Sequence, residues 1–145
     1  MKGKIPTLVF DCLYLQVGIR SHKMMKRGER LRHVFLKASS FAEAATELDC
    51  WDQVDGLKKE LDQSPTAGDV IPGYGGLRKV RIGLPGRGKR GGGRVIYYVI
   101  VNHHTILLLD LYAKNDQEDL SILELKALVT LRNLMLGEIR SGDII

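Results

Sequence analysis

Cysteine, proline and aromatic residues are all scarce in this chain of 145 residues: there are two cysteines and four prolines, and aromatics make up 6%. Neither Cys12 nor Cys50 belongs to a Cys-x-x-Cys pair, and no histidine stands at zinc-ligand spacing from either. That pattern excludes a disulfide scaffold and a thiolate zinc site, and reads as two free thiols in a reducing cytoplasm. No apolar run approaches the ~20 residues of a membrane-spanning helix. Acid is missing from one stretch in particular, residues 78–94, which carry seven Lys/Arg and no Asp or Glu.

What is present describes a single domain with enough apolar content, 44%, to bury a core. The formal net charge is +5 and the pI about 9.3. Its distribution says more than its sum. Residues 1–37 hold nine cations against two acids, residues 38–77 two against eight, and residues 95–145 four against seven. Self-repulsion within a cationic run is normally relieved by interspersed acids, so the bare run at 78–94 points to an anionic partner.

The first thirty residues differ from the rest. Lys2 and Lys4 precede an apolar run, Leu8 to Ile19, broken by Asp11 and Gln16. It resembles a signal peptide but lacks a small-residue cleavage site. Residues 1–31 are therefore read as an N-terminal extension, or as upstream of a true start at Met24 or Met25. The folded domain is expected over 32–137, with a loose tail over 138–145.

Within the domain, His33 to Leu36 reads as a short strand. Ser40 and Glu43 have capping-box spacing ahead of a helix through Leu48. Trp51, Val54, Leu57 and Leu61 mark a second helix, ended near Ser64-Pro65. Strands are expected at 77–84, 95–101 and 106–112, joined by a Gly/Arg/Lys loop over Pro85 to Gly93 and by a turn at Asn102-His103-His104. Short connections make them an antiparallel meander. Ser121 and Glu124 form a second capping box, opening a last helix with Gly137 as its terminator. The fold class is α+β: a small antiparallel sheet with two N-terminal helices and a C-terminal helix.

Two nucleotide-binding signatures lie in the glycine-rich stretch, and neither holds. Gly86-x-Gly88-x-x-Gly91 and Gly83-x4-Gly88-Lys89 both require a helix to follow, so that a phosphate meets its N-terminus. A strand follows instead, and Arg90 stands where a P-loop needs Ser or Thr. A glycine-rich hairpin carrying Arg87, Lys89 and Arg90 suits a phosphodiester backbone better, because glycine allows close approach and the cations donate to phosphate. Lys79, Arg81 and Arg94 extend that patch across the sheet. Tyr97, Tyr98 and Tyr112 are candidates to stack on a base, with core packing the favoured role for at least one of Tyr97 and Tyr98.

Three blocks in order, GDVIPGYGGLRKVR, GRGKRGGGRVIYY and YAKNDQEDL, spanning Gly68 to Leu120, resemble the RelE/ParE superfamily of toxins, closest to its HigB-like branch. The resemblance covers roughly residues 33–135. It implies the toxin of a type II toxin–antitoxin pair, a cytoplasmic, metal-independent and cofactor-free endoribonuclease. Its partners would be mRNA in the ribosomal A site and a helix-turn-helix antitoxin. By position, Lys89, Arg94 and Lys114 would be catalytic. Arg78, Lys79, Arg81, Arg87, Arg90 and Tyr112 would contact RNA. The last helix lacks the His or Tyr that some relatives place in the site, and His103 and His104 are assigned to a solvated turn. A ParE-like topoisomerase inhibitor without nuclease activity, or a non-catalytic RNA-binding module, are the competing readings.

Overall fold

The computed structural model describes residues 31–114 and 119–141, without the side chains of 88–91, 140 and 141. The expectations for residues 1–30 and for the tail beyond 141 lie outside the described residues. Strand β1 (Val34–Lys37) leads into helices α1 (Ser39–Glu47) and α2 (Trp51–Gln63). Strands β2 (Asp69–Val70), β3 (Arg78–Leu84), β4 (Gly88–Ile100) and β5 (Thr105–Ala113) follow, and helix α3 (Ile122–Ser141) closes the domain. The sheet order is β1-β5-β4-β3-β2. The meander β3–β4–β5 is antiparallel as expected; β1 joins β5 in parallel, which the α1–α2 crossover permits.

The sheet is buried on both faces. One core lies under α1 and α2, with Phe35, Ile82, Val95, Tyr97, Ile106 and Leu108 meeting Phe41, Val54, Leu57 and Leu61. The other lies under α3, with Leu36, Ile96, Leu107, Leu109 and Tyr112 meeting Leu128, Leu131 and Met135. This explains why β5 reads as a continuous apolar run.

Three local expectations change. Ser40 does not cap α1, whose N-cap is Ala38. Its hydroxyl donates instead to the Leu109 carbonyl at 2.8 Å. The stretch expected as a loop over Pro85–Gly93 is mostly strand, because a ladder needs only backbone N–H and C=O groups and β4 starts at Gly88. The turn proper is Leu84-Pro85-Gly86-Arg87, closed by Arg87 N–H donating to Leu84 O at 3.0 Å, with Gly86 at φ +76° as a type II turn requires. Helix α3 runs through Gly137 to Ser141 rather than stopping there, since a glycine in a helix interior costs only about 1 kcal/mol. The second capping box forms as expected: Ser121 N–H donates to Glu124 Oε1 at 2.8 Å, and Glu124 N–H donates to Ser121 Oγ at 3.1 Å.

Candidate nucleic-acid interface

The site is set by a β-bulge. On the β4–β5 ladder Tyr97 pairs with Leu108 but Ile96 pairs with Asp110, leaving Leu109 without a partner on β4. The extra residue reverses which face later side chains take. Simple alternation along β5 is thereby broken: Ile106 and Leu108 face α1–α2, whereas Tyr112 faces α3. The Ser40 hydroxyl satisfies the carbonyl of the bulged residue.

With that register, Arg81, Arg94 and Tyr112 form one row across β3, β4 and β5, on the face covered by α3. One step along, Lys79, Ile96 and Asp110 form the next row. Gly93 sits where a side chain could not: a Cβ there would lie 2.7 Å from Tyr112 O. Just past β5, Lys114 N–H donates to Gly92 O at 3.0 Å, fixing Lys114 beside the base of the glycine-rich hairpin.

The structure therefore brings together Arg81, Arg94, Lys114 and Tyr112, with Lys79 adjacent and Arg87 exposed at the hairpin turn. The backbones of Lys89 and Arg90 run at the start of β4; their side chains lie outside the described residues. Arg78 is not part of the group. Alternation puts it on the α1–α2 face, where its guanidinium donates to Gly68 O at 2.7 Å and to Thr66 O at 3.4 Å. Gly75 lies outside the group as well: its carbonyl accepts from Arg132 on α3, whose guanidinium lies 4.8 Å over the Tyr98 ring.

Burial qualifies each role. Arg94 is 8% exposed and its Nη1 donates to Gly93 O at 3.0 Å. Tyr112 is 7% exposed, so its ring presents no face to a base, and its buried hydroxyl has no hydrogen-bond partner among the described residues. Burial pushes that hydroxyl up to about 12; the carboxylates of Asp119, Asp110 and Glu124 add to the rise and Arg94 opposes it. Tyr112 is thus a neutral donor at physiological pH, not a base. Tyr97 is a core residue with a tethered hydroxyl, which accepts from Gly68 N–H at 2.9 Å and donates to Pro65 O at 2.7 Å.

The acids around Tyr112 were not anticipated. Residues 78–94 have no acid in sequence, but the chain entering α3 brings counter-charge to them: Lys79 Nζ lies 2.9 Å from Asp119 Oδ1. Only the capping-box spacing of Ser121 and Glu124 signalled where that entry falls. His103 and His104 lie at the far end of the sheet, in and after a short 3₁₀ turn. Among the described residues, no group of His, Cys, Asp or Glu could hold a metal ion, and no helix is long and apolar enough to cross a membrane.

No family model matches the chain. Among solved structures it is similar to a free-state E. coli toxin RelE mutant carrying two arginine-to-alanine substitutions, at 15% identity with a TM-score of 0.45. The match covers 69% of this chain and 96% of that one.

Proposed function

We propose that this chain is an endoribonuclease toxin of the RelE/HigB type, cleaving mRNA at the hairpin end of the sheet without a metal or cofactor. The observation that carries the reading is the Arg81–Arg94–Tyr112 row, flanked by Lys114 and the Gly88–Gly93 strand. Two guanidiniums, a neutral hydroxyl donor and a lysine converge there on one patch, beside backbone that glycine leaves open to close approach. Each of the three sequence blocks that resemble the superfamily contributes residues to the same patch: Arg81 from the first, Arg94 from the second, Tyr112 and Lys114 from the third.

In the proposed reaction the RNA 2′-oxygen attacks the adjacent phosphorus and the P–O5′ bond breaks, leaving a 2′,3′-cyclic phosphate and a 5′-hydroxyl. Lys89 is the general base that takes the 2′-hydroxyl proton. Arg94, with the Tyr112 hydroxyl as a second donor, steadies charge on the pentacovalent phosphate, and the Lys114 ammonium protonates the leaving 5′-oxygen. Lys79, Arg81, Arg87 and Arg90 hold flanking phosphates. RNA must compete with Asp119 for Lys79, and the buried Arg94 and Tyr112 must be uncovered for RNA to reach them. The same cationic patch suits a helix-turn-helix antitoxin, which would block the site in the cytoplasm.

Purified protein added to a translating extract is expected to cut a reporter mRNA at discrete positions with chelator present. Intact mRNA with DNA gyrase inhibited would replace this reading with the ParE-like one.

A further inference from the structure

We propose that the apolar run Leu8–Ile19 of this same chain docks in the groove between the end of β4 and the C-terminal half of α3. The groove encloses about 330 Å³ and is lined by Tyr98, Ile100, Val101, His103, Leu136 and Ile139 among others. Among the described residues that line it there is no Lys, Arg, Asp or Glu, and Asn102 and His103 are its polar side chains. Val101 at its rim is 74% exposed, a large apolar side chain left in solvent. That volume is at the lower end of the ~300–1,000 Å³ of ligand pockets, which suits a few apolar side chains of an extended segment.

The occupant follows from where the chain enters the domain. Asp62 fixes that entry: Arg32 N–H and His33 N–H each donate to its Oδ1 at 2.8 Å, and His33 Nδ1 lies 2.9 Å from the same oxygen. The His33 ring meets the His104 ring edge-on at 5.9 Å, and Val34 N–H donates to His104 O. His103 lines the groove, so the chain arrives at the sheet end where the groove opens, about two strand spacings or ~10 Å away. Eleven residues separate Ile19 from Leu31. Extended, they span up to ~36 Å, enough to round the sheet end from the α1–α2 face to the α3 face. Nine of the twelve residues in Leu8–Ile19 are apolar, and the described cores are already closed without them.

Cys12 lies within the run and allows a direct test in the full chain. Val101→Cys or Asn102→Cys places a second thiol at an exposed rim position. Val70→Cys, on the opposite edge strand, is the control. Cys50 is buried, and burial pushes its thiol up to about 11, so it does not compete at neutral pH. Treatment with a short bis-maleimide, followed by peptide mass spectrometry, is expected to give an intramolecular link from Cys12 to position 101 or 102 at least tenfold above the link to position 70. Equal yields at all three positions, no link at 101 or 102, or links only between two chains would each overturn the proposal. The last would make a second copy the occupant, and the second would leave the groove to the Ile144-Ile145 end or to another protein.

Discussion

Arg94 on β4 stands directly across the ladder from Tyr112 on β5, and a one-residue bulge two rungs away is what puts them there. Without the bulge Arg94 would face Leu111, and Tyr112 would point into the α1–α2 core. The pair joins a buried cation to a buried hydroxyl that nothing in the described structure satisfies. Such a group costs stability and is retained most readily where a ligand uses it.

Tyr112→Phe is therefore expected to leave folding stability unchanged or to raise it by about 1 kcal/mol, while RNA cleavage falls. Tyr97→Phe is the contrasting case. Its hydroxyl serves Gly68 N–H and Pro65 O, so its loss should cost about 1–3 kcal/mol. Urea denaturation of both variants checks the pair; equal costs would contradict the assignment of the orphan hydroxyl.

Ser40→Ala removes the donor to Leu109 O at the bulge. The expected loss is about 1–3 kcal/mol, the penalty of an unsatisfied buried carbonyl, rather than the smaller loss of a helix cap. A Ser40→Thr variant that keeps the hydroxyl should recover part of it, and faster amide exchange in β5 would localise the damage.

Gly75→Ala tests how α3 is held. Gly75 has φ +64°, and a Cβ there would lie 2.7 Å from Arg132 Nη1. Arg132→Met removes the same contact from the other side. Both should destabilise the domain, and the double variant should cost less than the sum of the two, because they break one interaction. Chemical denaturation of the four-member cycle reads this.

The β1 edge carries a pH dependence. Burial, and next the neighbouring Lys58, hold the Lys37 ammonium down to about 8, with Asp55 opposing. A lysine depressed in the folded state penalises folding while it is charged. Below about pH 8 both states are protonated and the penalty is full. Between about 8 and 10.5 the native chain releases its proton first, so stability rises with pH, by on the order of 3 kcal/mol in all. Lys37→Met should flatten that rise, measured as the difference in melting temperature between wild type and variant across the range.

Much of the architecture was legible in the sequence. Helical spacing at Trp51, Val54, Leu57 and Leu61 located α2, and the Ser121/Glu124 box located α3. Two things were not. The bulge at Leu109–Asp110 is not read from the leucine-rich TILLLDLYA run, where either register buries leucine. The long-range contacts also escaped: Ser40 has the spacing of a cap yet serves a carbonyl 69 residues away, and Arg78 belongs to the cationic run yet turns to the opposite face. The cationic site itself was visible as composition, but not the acids that α3 brings to Lys79 and Tyr112.

Cleavage of RNA by the Arg94 row is tested most directly by primer extension on a translated mRNA with wild type, Arg94→Gln, and Lys59→Gln on the opposite face. Discrete new 5′ ends are predicted from wild type and Lys59→Gln, with a loss of about 100-fold or more in Arg94→Gln with folding intact. No cleavage by the wild type, or undiminished cleavage by Arg94→Gln, would contradict that role for the row.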